Sequence, residues 1–507
     1  MATEAEILKA RRARASRLAE SGVDLFPARV PRPLDRIVEI RQRYAGVDAE
    51  TLAREEPTAR VAGRLVGLRS FGKAAFGVLQ ADGERLQVWL RRDLVGDEAY
   101  ARFRLFEVGD FMWAAGRLIR SKTDELTLEA REFGFLAKAY RPLPEKFHGL
   151  QDVEARTRRR YLDLIVNPDM RRIARARSRT VRALREVLDE RDFLEVETPV
   201  LQPIYGGAAA RPFTTYHHAY DEPRYLRISF ELYLKRLLIG GLDRVYEIGR
   251  DFRNEGVDRT HNPEFSMLEA YQAFADYTDM MELCEALVAH AARQVNGDLW
   301  IERAGRRIDL SPPWPRRSMA ELIAEASGID IERQRELDDL REAVRKAGVE
   351  VDPAAAPTWA RLVDDLFSAV VEPELIEPTL VVGYPAELSP LAKRSQERPE
   401  RVERFEAFLG GTEICNAFSE LNDPDDQRAR MLEQARLARG GDEEAHPLDE
   451  DFLLALEHGM PPAGGLGLGV GRLVMMLTGA PHLREVKLFP HVRSRPEGSG
   501  DGEGDDG

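Results

Sequence analysis

Hydrophobic and polar residues alternate along much of residues 58–143, with the period of two that is typical of β-strands. Three such runs are TARVAGRLVGLRSFG, AAFGVLQADGERLQVWLRR and FMWAAGRLIRSKTDELTLEAREFGFLAKA. Glycine and aspartate residues that favour turns lie between the strands, and several short strands with such turns are typical of a small barrel. We therefore predict a barrel over residues 58–143.

The pattern changes on both sides of this barrel. The N-terminal residues form a helical pattern rich in arginine and lysine, which predicts either a solvated charged face or a surface that contacts phosphates. After the barrel, a helix and the strand FLEVETPVL, ending at Pro199, begin a region that mixes strands with helices. The predicted organisation is α+β: a basic helix and lead-in (1–57), the barrel (58–143), a linker (144–160), a large mixed domain (161–492) with a more helical insertion at about 300–400, and a disordered acidic tail (493–507).

The composition is ordinary for a soluble protein. Hydrophobic residues make up 43% and charged residues 32% of the 507 residues, and no run of about eighteen apolar residues predicts a membrane span. The only cysteines, Cys284 and Cys415, are far apart, so we expect neither a disulfide framework nor a cysteine zinc site, and a cytoplasmic location. The net charge of −14 argues against indiscriminate nucleic-acid binding but allows a local basic face.

A cation and a carboxylate lie two residues apart in RDFRNEGVDRTHNPEFSMLEAY (250–271). On a strand, Arg253 and Glu255 would point the same way; an arginine fork suits a phosphate, and a carboxylate accepts from an exocyclic amine. After a turn, Phe265, Glu269 and Tyr271 share one strand face. An aromatic ring beside an arginine predicts a clamp for a flat base. For the Arg-x-Glu pair alone, a salt-bridged surface hairpin is the alternative.

A second acidic segment, ERFEAFLGGTEICNAFSELN, predicts a hairpin whose Gly-Gly turn brings Glu406 and Glu413 together. Two carboxylates repel unless a cation lies between them, which favours Mg²⁺ bound to phosphates. Two exposed loop glutamates are the alternative. Beyond the turn, Asn416, Phe418 and Glu420 alternate on one face, which suits a ligand with an aliphatic stem and a cationic tip.

Glycines occupy every second position, from 465 to 471, of GGLGLGVGRLVMM (464–476). A dinucleotide-binding loop needs the spacing G-x-G-x-x-G between a strand and a helix, which this run lacks. Alternation instead fits a strand with one face cleared for a flat ligand. We predict such a strand, followed directly by Arg472.

Together these segments resemble the three motifs of the class II aminoacyl-tRNA synthetases, and among them the bacterial lysyl-tRNA synthetases. The helix and strand ending at Pro199 are similar to motif 1, FRNEG…HNPEF to motif 2 and GLGLGVGR to motif 3. The similarity covers nearly the whole chain. It implies a catalytic domain built on an antiparallel sheet flanked by helices, an anticodon-binding OB-fold barrel, and a homodimer with Pro199 in its interface.

The resemblance implies a site for ATP and Mg²⁺. Arg253 matches the arginine that contacts the α-phosphate and the lysine carboxylate. Arg472 matches the arginine that lies over the other face of the adenine, near the γ-phosphate, and these two are the implied catalytic residues. Glu255 matches the acceptor of the adenine amino group and Phe265 the ring beneath it. The other implied ATP-binding residues are His261, Asn262, Gly469, Glu406 and Glu413, and the two glutamates are also the implied magnesium ligands.

For lysine, the resemblance implies a pocket with two ends. The matching residues are Gly207, Glu231 and Glu269 at the α-amino end, Arg253 and Asn416 at the carboxylate, Phe418 along the stem, and Tyr271 and Glu420 at the ε-ammonium.

In the barrel, Phe76 matches a ring that stacks on an anticodon base, with Arg69, Gln87 and Glu132 near the base edges. Ordinary barrel core is the alternative for Phe76.

The implied activity is ATP-dependent ligation of L-lysine to tRNA(Lys) through a lysyl-adenylate, in the cytoplasm. One departure is Gly471, because an aspartate commonly precedes the motif 3 arginine in the family. Related proteins that transfer lysine elsewhere either lack the barrel or carry a membrane domain, and aspartyl or asparaginyl synthetases would place cations where Glu420 stands. An inactive RNA-binding relative would have lost Arg253, Arg472 or Glu413, and all three are present.

Overall fold

The computed structural model describes residues 3–144, 150, 152–439 and 447–493. The chain divides into two compact units, Met1–Arg171 and Arg172–Gly507. The predicted tail lies outside the described residues except for residue 493, and so does part of the predicted linker. Within the described part of the chain, none of the helices is both long and apolar enough to cross a bilayer.

The first unit is a five-stranded barrel with short helices around it. Its elements are α1 (Glu4–Glu20), α2 (Ile37–Tyr44), α3 (Ala49–Glu55), β1 (Thr58–Phe71), β2 (Ala74–Ala81), β3 (Glu84–Arg91), α4 (Arg92–Val95), α5 (Asp97–Phe103), β4 (Phe111–Arg120), β5 (Leu126–Ala137), α6 (Val153–Arg158) and α7 (Arg160–Val166). The strands close in the order β1-β2-β3-β5-β4. The predicted barrel is therefore confirmed.

The barrel core follows from strand alternation. In β3, Leu86, Val88 and Leu90 are fully buried and point inward, while the residues between them are partly exposed. Leu18 of α1 and Leu52 of α3 join the same core. The helix α1 is also attached through a cation: Arg11 donates from Nη1 to the Ala139 carbonyl (3.0 Å) and from Nη2 to the Val108 carbonyl (3.1 Å). This arginine of the basic helix therefore serves the packing of the unit.

The second unit is built around an eight-stranded sheet. Its elements are α8 (Pro168–Asp189, which begins in the first unit), β6 (Leu194–Glu195), β7 (Leu201–Gln202), β8 (Thr214–His217), β9 (Glu222–Leu226), α9 (Glu231–Ile239), β10 (Arg244–Phe252), β11 (Glu264–Ala273), α10 (Tyr277–Asn296), β12 (Trp300–Arg303), β13 (Arg306–Asp309), β14 (Arg316–Ser318), α11 (Met319–Ser327), α12 (Leu337–Ala347), α13 (Trp359–Val370), β15 (Thr379–Val382), β16 (Arg404–Phe408), β17 (Glu413–Ser419), α14 (Pro424–Arg439), α15 (Glu450–Glu457), β18 (Ala463–Gly469) and α16 (Val470–Thr478). Single 3₁₀ turns lie at Glu372–Glu374, Ala386–Leu388 and Leu483–Glu485.

The strand order of the large sheet is β14-β15-β16-β17-β18-β11-β10-β6. Every pairing between β15 and β10 is antiparallel, as predicted, and the two outermost pairings, β14 with β15 and β10 with β6, are parallel. Helices α10 and α16 pack on the central strands β17 and β18. The predicted α+β class is confirmed.

Three local predictions differ from the structure. The run FLEVETPVL is not one strand ending at Pro199. It contains β6 and the start of β7, which lie in different sheets. Strand pairing is interrupted between them, where the Thr198 amide donates to the Glu247 carboxylate. The region at about 300–400 contributes β14 and β15 to the main sheet. The strand β10 ends at Phe252, so Arg253 and Glu255 lie just beyond it.

Candidate active site

A cavity of about 450 Å³ lies on one face of the large sheet. Every residue predicted to bind ATP or lysine lines this cavity, except Glu420. Strand register explains the convergence: β18 lies between β11 and β17, and Glu269 and Asn416 both pair with Gly467. Side chains from two distant segments therefore meet on the same face, on either side of a strand that carries little bulk.

The glycines of β18 make room for one end of this cavity. A β-carbon at Gly465 would overlap the Glu420 carboxylate and the Tyr271 ring, and one at Gly467 would lie 3.3 Å from Met267. These two glycines thus lie among the residues predicted to bind lysine. Gly469 ends the strand. Gly471 belongs to α16, so the alternation predicted along one strand stops after three glycines.

Glu269 is the best-held carboxylate at the predicted α-amino end. Its Oε1 accepts from the Ser229 hydroxyl (2.8 Å) and the Phe230 amide (3.3 Å), and its Oε2 accepts from the Tyr271 hydroxyl (3.1 Å). Burial and the nearby Glu231 raise the pKa of Glu269 to about 7. A buried carboxylate with both oxygens oriented is suited to an ammonium ligand.

Gly207 closes the same end. Its φ of +88° favours glycine, and a β-carbon there would lie 2.8 Å from Ser229 Oγ. Ser229 was not predicted from the sequence, although it lies two residues before Glu231 and donates to Glu269.

Glu420 lies behind the cavity. It is 1% exposed, and its Oε2 contacts the ammonium of Lys235, which is itself completely buried and lies 2.5 Å from Glu231 Oε1. No hydrogen bond from the described residues reaches Glu420 Oε1. Burial raises the pKa of Glu420, and Lys235 opposes this shift. Lys235 was not predicted from the sequence, although its spacing of four from Glu231 on a helix is a signal for an ion pair.

At the end of the cavity that is predicted to bind ATP, Arg253 lies over Phe265. The guanidinium carbon is 5.1 Å from the ring centroid, and Nε donates to the Ile228 carbonyl (3.3 Å). A cation held against an aromatic face beside a cavity is suited to a flat base with an attached phosphate. Glu255 lies in the exposed loop after β10 and still lines the cavity.

Arg472 connects the two predicted phosphate-binding segments. Its Nη1 donates to Glu413 Oε2 (3.0 Å), and its Nη2 donates to His261 Nε2 (3.0 Å). Because a guanidinium only donates, Nε2 accepts, and Nδ1 then carries the proton that it shares with Asp258 Oδ2 at 2.7 Å. Although partial burial opposes the shift, hydrogen bonds from Thr260 and His261 lower the pKa of Asp258 to about 2.

Glu406 is held by two residues that sequence analysis missed. The Tyr384 hydroxyl donates to its Oε2 (2.8 Å), and Arg404 contacts its Oε1 while donating from Nε to Asn416 Oδ1 (2.9 Å). Burial raises the pKa of Glu406, Arg404 opposes the shift and the nearby Glu413 adds to it. The hairpin predicted from the Gly-Gly turn is present as β16 and β17, but Glu406 pairs with Asn416 and Glu413 with Phe408.

Asn262 is buried and accepts from Lys487 Nζ (2.9 Å). Burial and nearby arginines lower the pKa of Lys487 to about 8. At Gly471, a β-carbon would lie 2.7 Å from Leu483 Cδ1. A side chain at position 471, such as the aspartate common in the family, would require Leu483 to move.

On the barrel, Phe76 is partly exposed and belongs to an outward-facing aromatic surface. Its ring stacks on Trp89 with centroids 5.7 Å apart and planes 5° apart. Arg69 pairs with Phe76 across β1 and β2 and is exposed. Gln87 accepts from the Thr127 hydroxyl (2.8 Å). Trp89, with the Arg91 guanidinium 5.1 Å from its ring, was missed by sequence analysis.

Glu132 is exposed on β5, and its carboxylate lies 3.8 Å from Arg60. Pro199 is also exposed and is flanked by the exposed Val200 and Leu201.

Comparison with known proteins agrees with this geometry. The family model of the class II tRNA synthetases (D, K and N) matches residues 152–493. A lysine–tRNA ligase of Chloroflexus aurantiacus is 52% identical over 489 residues, which are 96% of this chain and 98% of the relative. Those of Moorella thermoacetica and Bacillus subtilis are 50% identical over 458 residues (90% and 92% covered) and 46% identical over 488 residues (96% and 97% covered). The chain therefore belongs to the class II tRNA synthetases, in the group that contains the lysine–tRNA ligases.

Proposed function

We propose that this enzyme uses ATP to ligate L-lysine to tRNA(Lys) through a lysyl-adenylate. The observation that carries the proposal is the one cavity with two chemically different ends. One end offers Arg253, Phe265 and Arg472, and the other offers Glu231 and Glu269. A ligand with a flat base and phosphates fits the first end, and an amino acid with cationic groups fits the second.

The reaction needs positioning more than a protein base. The lysine carboxylate is already a nucleophile and attacks the α-phosphorus of ATP, displacing pyrophosphate. Arg253 orients that carboxylate and neutralises charge on the α-phosphate, while Arg472 binds towards the γ-phosphate. The terminal ribose hydroxyl of the tRNA then attacks the adenylate carbonyl, and AMP leaves.

Glu406 and Glu413 are the residues that would hold Mg²⁺. Both line the cavity at its phosphate end, and carboxylate oxygens are the donors that Mg²⁺ prefers. Their mutual repulsion contributes to the raised pKa of Glu406, and a cation between them would relieve it. Among the described residues there is no cluster of three or more metal-ligating side chains, so the remaining ligands would come from ATP phosphates and water. A bound Mg²⁺ would neutralise the charge of the leaving pyrophosphate.

The barrel is proposed to bind the anticodon. Phe76 and Trp89 form a stacked pair that faces outward, and Arg69 lies beside them, which is the combination of rings and cations that unpaired bases favour. Gln87 and Glu132 are proposed to contact base edges.

The active form is proposed to be a cytoplasmic homodimer with Pro199 in its interface. The support is the exposed apolar side chains around Pro199, with Leu194 51%, Val200 40% and Leu201 50% exposed. Light scattering that gave the mass of a monomer would contradict the dimer.

ATP–pyrophosphate exchange with each of the twenty amino acids tests the central proposal. Exchange that depends on lysine, followed by lysine charging of tRNA(Lys), is the expected result. Glu420→Gln is the matched specificity variant, because it keeps the shape of the side chain and removes its charge. If the folded wild-type enzyme catalysed ATP–pyrophosphate exchange with no amino acid, or with one that lacks a side-chain ammonium, the proposal would be wrong.

A further inference from the structure

A lysine of the chain itself lies beneath the amino-acid end of the cavity. Lys235 is on α9, one helical turn after Glu231, and its Nζ lies 2.5 Å from Glu231 Oε1 while contacting Glu420 Oε2. The Phe418 ring centroid is 5.4 Å from the same ammonium. Lys235 thus joins a carboxylate that lines the cavity to one that lies behind it.

This ammonium is charged in spite of its burial. Burial lowers the pKa of Lys235, but Glu231 and Glu420 outweigh that effect and the net shift is upward. In return, Lys235 lowers the pKa of both carboxyls against the opposing effect of their own burial. The titratable and charged groups that face this cluster are Glu231 on α9, Glu269 and Tyr271 on β11, Arg404 on β16 and Glu420 after β17.

The net charge of the amino-acid pocket matches the two ammonium groups of lysine. Arg404 contacts Glu406, so this pair is neutral. When all three carboxyls are ionised, Glu231, Glu269 and Glu420 bring three negative charges, and Lys235 brings one positive charge. The pocket is therefore left two charges negative, and free lysine carries two ammonium groups. Without Lys235, the three buried carboxyls would face one another without that cation, and Glu231 and Glu420 would hold their protons to a higher pH.

We propose that Lys235 is a positioning residue of the amino-acid pocket. Its ammonium ties Glu231 at the α-amino end to Glu420 at the ε end, and it sets the charge of the pocket to match the two ammonium groups of lysine. This inference rests on the proposed function, and the wild-type enzyme separates the two: lysine-dependent exchange tests the function, and the variants test Lys235.

The first variant is Lys235→Met, which keeps most of the length of the side chain and removes the charge. We expect the KM for lysine at pH 7 to rise about tenfold, with kcat and the KM for ATP nearly unchanged. The acid limb of kcat/KM for lysine should move up by about one pH unit, because one pKa unit corresponds to a tenfold change. The defect should shrink as the pH rises and the carboxyls ionise again. A role in folding alone would not move this limb.

Arg236→Met is the matched control. It removes a cation from the neighbouring position of the same helix, where Arg236 binds Asp449 (3.1 Å) away from the pocket. Its lysine profile should coincide with that of the wild type. An unshifted limb and an unchanged lysine KM in folded Lys235→Met would overturn the proposal.

A second comparison holds even if Lys235→Met fails to fold. Glu420→Gln leaves the pocket one charge negative, whereas Lys235→Met combined with Glu420→Gln restores two negative charges and leaves no unpaired buried ammonium. The double variant should therefore have a lower KM for lysine than Glu420→Gln alone. An equal or higher KM in the double variant would contradict the charge-matching role.

Discussion

Arg472 donates to Glu413 twice, from Nη1 to the carboxylate Oε2 at 3.0 Å and to the backbone carbonyl at 2.9 Å. The proposed γ-phosphate ligand is thus paired with a proposed magnesium ligand. Binding of ATP with its cation would replace this contact: the arginine would turn to phosphate oxygens and the carboxylate to the metal. The ion pair therefore holds both groups in place for the nucleotide.

Glu413→Gln should abolish most activation without unfolding the protein. The Glu413 side chain is 33% exposed and pairs with Arg472 at the cavity, so its neutral isostere costs little stability. Losing one such electrostatic contact to the transition state typically lowers kcat by about 10²–10³-fold. Lysine-dependent pyrophosphate exchange at varied Mg²⁺ measures it, and the exposed pair Arg436–Glu433 supplies the control Glu433→Gln. Exchange near the wild-type rate in Glu413→Gln would show that Glu413 is not a magnesium ligand.

The use of lysine should decline as the pH falls below about 7. Burial and Glu231 raise the pKa of Glu269 to about 7, and only the ionised carboxylate attracts an ammonium group. The favourable contact is therefore present above this pKa and is lost as the pH falls through it. The measurement is kcat/KM for lysine against pH at saturating ATP and Mg²⁺.

Glu269→Gln is the test of that assignment. A charge-assisted hydrogen bond contributes roughly 1.5–3 kcal/mol, so the KM for lysine should rise by about 10–150-fold. The part of the acid limb near pH 7 that Glu269 causes should disappear, while the part set by Glu231 and Glu420 should remain. An acid limb identical to that of the wild type would contradict the assignment.

Phe76→Ala should separate tRNA recognition from lysine activation. Stacking of a base on an aromatic ring is worth about 1–3 kcal/mol, so the KM for tRNA(Lys) in charging should rise by about 5–150-fold. Lysine-dependent exchange without tRNA should not change. Trp89→Ala, which removes the ring stacked on Phe76 at 5.7 Å, should have a smaller effect in the same direction. A parallel loss of exchange would indicate a folding defect instead.

The barrel should depend on a buried ion pair. Asp110 is fully buried, and both of its oxygens lie 3.0 Å from Lys138 Nζ. Asp110→Ala would leave that ammonium with Glu107 alone, and breaking a buried pair from one side costs about 3–5 kcal/mol. Hydrogen exchange of barrel peptides and urea unfolding would measure the loss. The exposed Asp93 pairs with Arg91 at the surface, and Asp93→Ala should change stability by less than about 1 kcal/mol.

Sequence alone determined the barrel and the segments of the catalytic site. The barrel was predictable because alternation along a strand decides directly which side chains enter the core, as Leu86, Val88 and Leu90 illustrate. Strand parity predicted that Glu269 and Tyr271 share one face, and the resemblance to the class II synthetases implied the other residues that line the cavity. Alternation and parity depend on neighbours within a few residues.

Only the tertiary structure decided how these residues are held. Ser229, Lys235 and Tyr384 orient Glu269, Glu420 and Glu406 from other segments. Sequence spacing carries no information on contacts between elements far apart in the chain. The position of Glu420 illustrates the limit: parity placed it on the open face, but β17 ends at Ser419 and the buried Lys235 holds its carboxylate behind the cavity. A buried charge lies where its counter-charge is, and only the folded chain defines that place.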